Sequence, residues 1–178
     1  MSQRPLTIDL KFSDLPAASR ERHEALVDIF GQYLVWLRSW VMEASSELVE
    51  SQEARTRLGA IRSRRYDPVA SLDSDQRRAA CKFAEATLDH FIQLFLTMLS
   101  GTGVDQRLGN DHAIRFVLAM EILNVQNEAV VEQEVINRGG EKFFADYWGR
   151  WLNRTQKEYN GLSSSGEANT QNSDNDSR

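Results

Sequence analysis

The stretch 113-AIRFVLAMEILNVQNEAVVEQEVIN-137 decides the fold class. In its first half Ile114, Phe116, Leu118, Met120 and Ile122 alternate with Arg115, Val117, Ala119, Glu121 and Leu123. In its second half Val131, Gln133, Val135 and Asn137 alternate with Val130, Glu132, Glu134 and Ile136. Period two is the repeat of a strand, and β-branched residues suit a pleated surface. The polar middle, Asn124 to Glu128, reads as a turn, so the stretch is expected to be a β-hairpin. Read instead as one long helix, it would make the chain an all-α bundle, which is the alternative architecture.

Beyond the hairpin Gly139-Gly140 breaks the chain, and a helix is expected from about Glu141 to Tyr159, burying Phe144, Tyr147, Trp148, Trp151 and Leu152. From Gly161 the sequence is GLSSSGEANTQNSDNDSR, with Leu162 its only large apolar side chain. Such a segment buries too little to offset its ordering entropy. The expected organisation is therefore one globular domain over residues 1–160 and a mobile polar tail over residues 161–178.

Before the hairpin, a long helix is expected to start with Ser74 or Asp75 as its cap and to end at Gly101, a residue suited to a left-handed C-terminal position. Its main apolar face reads Phe83, Ala86, Thr87, His90, Phe91, Leu94, Phe95, Met98 and Leu99, and Leu88, Ile92 and Leu96 form a second row. Further upstream, Leu26, Ile29, Phe30, Tyr33, Leu37, Trp40, Val41, Ala44 and Leu48 make a helical stripe, with Leu34, Val35 and Trp36 lying off it. The connector is expected to continue the first helix to about Arg65 and then form a loop, in which Pro68 pushes Asp67 extended. At the N-terminus Leu6, Ile8, Leu10 and Phe12 alternate with Thr7, Asp9 and Lys11, which predicts a strand pairing with the hairpin. Together these elements predict an α+β fold: two long helices and a C-terminal helix on a small antiparallel sheet built from the N-terminal strand and the hairpin.

Composition narrows the function more by exclusion than by indication. The 178 residues are 41% hydrophobic and 26% charged, with a net charge of −5 that disfavours bulk polyanion binding. No run of about eighteen uncharged apolar residues is present, as a membrane span would need. The N-terminus lacks the apolar core of a secretory signal, and the lone Cys81 cannot staple a fold, so a cytoplasmic location is expected. Neither GxxxxGK[ST] nor GxGxxG occurs, nor a GxSxG elbow, and no second cysteine supports a thiolate zinc site. His23-Glu24 begins an HExxH-like string whose fifth position is Val27. No cofactor and no metal site is expected.

Three groups of residues carry chemistry worth weighing. Asp105, Arg107, Asp111 and His112 lie in or beside a Gly-containing loop, where a carboxylate, a guanidinium and an imidazole could orient a substrate or move a proton. A capped turn with an internal ion pair accounts for the same residues. Arg55, Arg57, Arg62, Arg64 and Arg65, in a stretch without acids, could track phosphates beside Tyr66. Upstream acids, with Glu53 four residues before Arg57, favour a solvated helix instead. Trp36, beside the main stripe, is a candidate interface anchor. His90 reads as a core or boundary residue, and His23 as part of a solvated face among Arg20, Glu21, Arg22 and Glu24. The function expected from all of this is a small cytoplasmic protein-binding module without catalysis, in an adaptor, neutralising or immunity-like role. The alternatives are nucleic-acid contact through the arginines and a small enzyme using the loop at 105–112. Surplus apolar surface on both long helices raises the expectation of a homodimer.

Overall fold

The computed structural model describes residues 8, 10–101, 107–108 and 112–155. Helix α1 spans Ser19–Glu50, 32 residues, and α5 spans Ser74–Ser100, 27 residues. Between them lie the short helices α2 (Gln52–Arg57), α3 (Ala60–Ser63) and α4 (Asp67–Ala70). Two-residue strands β1 (Arg107–Leu108) and β2 (His112–Ala113) pair antiparallel, and β3 (Ala119–Leu123) pairs antiparallel with β4 (Val130–Val135). A 3₁₀ turn, Phe144–Asp146, leads into α6, residues 147–155. The expected α+β class holds, with helices dominating and the hairpin replacing the single long helix of the all-α alternative.

Local chemistry explains most boundaries. Asp73, one residue earlier than expected, caps α5: its carboxylate accepts from the Asp75 and Gln76 amides while the Gln76 side chain returns to the Asp73 amide. Gly101 closes α5 at φ +74°, the left-handed conformation expected there. The continuous helix expected to Arg65 is interrupted twice. Ser51 is extended and its hydroxyl accepts from Ala54 N to start α2, and Gly59 at φ +80° separates α2 from α3. Asp67 is not extended either, because Pro68 sits in the first turn of α4, where its missing donor is not needed. At the N-terminus, the described residues Ile8, Leu10 and Lys11 carry no strand, and Phe12–Asp14 is a 3₁₀ turn. The predicted N-terminal strand thus has no counterpart among the described residues; Leu6, Thr7 and Asp9, like the tail at 161–178, lie outside them.

The core sits at one end of the long helices. Leu26, Val27 and Val35 of α1 meet Ile92, Leu96 and Leu99 of α5, and Ile136, Phe144, Tyr147, Trp148 and Trp151 fill the space between. Phe30 stacks on Phe144 with ring centroids 5.5 Å apart, and Trp151 meets Phe30 edge-on at 6.1 Å. Gly31 makes this possible, since a Cβ there would overlap the Trp151 indole. Asn137, buried, ties the hairpin to α5: its amide donates to Leu99 O at 2.7 Å and to Phe116 O at 3.1 Å, while its oxygen accepts from Leu118 N. The opposite end, α1 beyond Arg38 and α5 before Ile92, buries only Val49 within the two helices.

Candidate functional site

The helical stripes divide differently from the expectation. On α5 the second row supplies the core, with Ile92 and Leu96 buried beside Leu99, while Phe83 is 75% exposed, Phe91 64% and Leu94 54%. Phe95 is exposed as well. On α1 the off-stripe Val35 is buried, whereas Tyr33, Leu37, Trp40 and Val41 of the main stripe are exposed. A helix apolar on two sides needs only one of them for its own core, and the sequence period does not say which.

The two exposed stripes lie on one side of the helix pair. Arg38 reaches from α1 to Asp89 and Glu85 of α5, each at 2.8 Å, and Val49 shares a groove with Arg78 and Cys81, so the helices run antiparallel. Leu37 immediately precedes Arg38, as Phe91 and Phe95 immediately precede Ile92 and Leu96. The rotation from inward residue to exposed residue is therefore the same about each axis, and in an antiparallel pair equal rotations lead to the same side. Within this face Ala84 and Thr87 lie between the aromatics of α5, Ala80 and Ala84 border the groove with α4, and Ala44 follows Val41 on α1. None of these positions carries a charge.

Charged groups elsewhere are engaged in holding elements together. His23 is buried, correcting the solvated reading: its Nδ1 donates to Glu134 Oε1 at 2.7 Å, and its Nε2 has no partner among the described residues. Glu132 of the same strand accepts from Arg22, a bond that raises the guanidinium and lowers the carboxyl relative to their ordinary values. The inner face of the hairpin thus pairs Met120 with Glu134 and Ile122 with Glu132, while Val131 and Val135 point outward. Glu24 accepts from the Tyr147 hydroxyl at 2.6 Å and from Glu141 N at 2.9 Å. Burial pushes the Glu24 carboxyl up, but these two bonds and Arg150 outweigh it and hold the group below the usual range. Burial, with the bond to Glu24, pushes the Tyr147 hydroxyl up to about 12. The Asp89 bond, aided by Glu85, holds Arg38 charged against the cost of burial.

The residues singled out from the sequence scatter. Asp105 and Asp111 lie outside the described residues. Arg107 opposes Ala113 across the β1–β2 pair, and His112, exposed, opposes Leu108. His90, expected as a core or boundary residue, is exposed on α5 because the buried side of that helix is the row through Ile92 and Leu96. Of the arginines, Arg55 caps α1, donating to Leu48 O and Val49 O at 2.9 Å each, and Arg57 pairs with Glu53 one turn away. Arg62, Arg64 and Arg65 are exposed. Trp36 is half-buried, stacks on Trp40 at 6.3 Å, and shares a cavity of about 340 Å³ with Trp151. A groove of about 590 Å³ between α1, α4 and α5 is floored by Met42, Val49, Tyr66, Val69 and Cys81.

Among the described residues no group of three or more His, Cys, Asp or Glu could hold a metal ion, and no helix is long and apolar enough to cross a membrane. Sequence reasoning missed His23 and the hairpin acids, whose contacts span more than a hundred residues; the trace of them was two acids on alternate positions of a strand whose other residues are three valines and Gln133. Comparison of the chain with family models, with curated proteins and with solved structures found no match.

Proposed function

We propose that the chain is a small cytoplasmic protein-binding module without catalytic activity of its own, in an adaptor, neutralising or immunity-like role. Its binding surface is the uncharged apolar face of α1 and α5. The observation that carries this reading is the exposure of Phe91 and Phe95 beside Leu37 and Val41 on a single face, flanked by the exposed Phe83, Leu94 and Trp40. Aromatic residues are enriched, and charged residues depleted, at the centres of protein interfaces. A contiguous apolar patch of this extent exceeds what a soluble monomer ordinarily leaves to water.

The test is affinity capture from native extract with the full chain as bait, before and after nuclease treatment, in parallel with a Phe91→Asp/Leu94→Asp variant. The expected result is at least one protein retained by the wild type, unaffected by nuclease, and lost with the variant. Retention of the same proteins by both baits would overturn the reading. Retention abolished by nuclease would move the function to the exposed arginines, Arg62, Arg64 and Arg65.

A further inference from the structure

We infer that the occupant of the α1–α5 face is a second copy of this chain, so that two helix pairs stack about a two-fold axis into a four-helix bundle. The inference rests on the protein-binding reading of that face and names its partner. Three features of the face select a copy of itself.

The first is area. At roughly 200 Å² for a whole aromatic or large aliphatic residue, the exposed fractions of Phe83, Phe91, Leu94 and Phe95 with Tyr33, Leu37, Trp40 and Val41 amount to about 800 Å². That is about what each partner contributes to a stable interface of standard size, near 1,600 Å² in total.

The second is charge. A two-fold contact sets a surface against itself, so any charged residue near the axis meets its own sign. Among Leu37, Val41, Phe91 and Phe95 there is none: Glu85 and Asp89 of the α1–α5 contact pair with Arg38, and Arg65, Arg78 and Lys82 lie at the groove with α4. A partner recognised by charge would have nothing to recognise at those four residues.

The third is shape. The face runs from Tyr33, Leu37, Leu94 and Phe95 beside the core to Trp40, Val41, Phe83 and Phe91 at the thin end, where two antiparallel helices lie side by side with little core of their own. Two such layers, face to face, are the ordinary way in which helix pairs complete a bundle. Ala84 and Thr87, between Phe83 and Phe91, leave low ground on α5 that facing aromatics can enter, Ala84 at the edge of the groove with α4.

Sedimentation equilibrium of the full chain at micromolar concentration tests the inference. The expected species has twice the 20.3 kDa chain mass. Phe91→Asp and, separately, Phe83→Asp should each weaken the dimer about thirtyfold or more, the size of a hot-spot loss. Both sites are exposed in the single chain, so helical circular dichroism should be unchanged. Val131→Asp, on the outer face of the hairpin, should leave the dimer intact. A wild-type species of single-chain mass overturns the inference, as does a dimer that Val131→Asp dissociates and the two phenylalanine variants do not. If the wild type is monomeric yet still retains a protein that Phe91→Asp/Leu94→Asp loses, the second copy is wrong and the binding face stands. If it is monomeric and retains none, both fall.

Discussion

Gly31 shows how a single missing methyl sets the packing of the whole core. Glycine costs about 1 kcal/mol against alanine inside a helix, so Gly31→Ala should stabilise α1 in isolation. In the folded chain the added carbon would displace the Trp151 indole, which Phe30 and Phe144 also hold. The overlap should win, and Gly31→Ala is expected to lower stability by roughly 1–3 kcal/mol, measured by denaturant unfolding. Tyr147 and Glu24 give a second test. Tyr147 has its proton held beyond the ordinary value of 10.0, up to about 12, so its contribution is complete below pH 10 and lost as pH rises through 12. Glu24, held below 4.5, contributes above that value and loses its contribution as pH falls through its own lower one. Tyr147→Phe should therefore cost roughly 1.5–3 kcal/mol at neutral pH, with the gap from wild type closing between pH 10 and 12. Neither Gly31 nor His23 was legible from its neighbours in sequence. What each one does is set by a residue more than a hundred positions away.

At the scale of elements the sequence was more informative, and its failures share one cause. The hairpin was legible because alternation, β-branched residues and an Asn-containing turn all favoured it; Asn124 and Asn127 indeed accept from Gln126 N and Ala129 N across the bend. The end of α5 was legible because a glycine marks it. The buried faces of α1 and α5 were legible in part: Leu26 and Leu99 of the main stripes reach the core with Ile29 and Phe30 against it, but apolar residues run along two sides of each helix and period alone ranks them by number. The arginine cluster was read in part: the Glu53–Arg57 pair formed, whereas Arg55 turned back to cap the preceding helix, a role that depends on the break at Ser51. Trp148 and Trp151 of α6 were placed correctly in the core. Replacing Trp151 by Ala should cost roughly 3–5 kcal/mol in unfolding free energy. Trp40→Ala, on an exposed residue, should cost well under half of that in the single chain.

Taken whole, the molecule is unevenly built. Ile92, Leu96, Leu99, Phe144 and Trp151 gather around the first half of α1, while the second half of α1 leans on α5 chiefly through Arg38 and on α2 and α4 around Val49. At 1.5 Å per residue α1 is about 48 Å long, so its two halves live in different surroundings although one hydrogen-bond ladder runs through both. That asymmetry sets how the backbone opens. Amides from Val27 to Val35 can exchange with solvent only when the core itself comes apart, so their protection should approach the full unfolding free energy. Amides from Glu43 to Leu48 need only a local fraying that leaves the core intact, and should exchange at least about a hundredfold faster. Hydrogen–deuterium exchange along this one helix would resolve the two regimes. Uniform slow exchange from end to end would mean that the far half of α1 opens only together with the core.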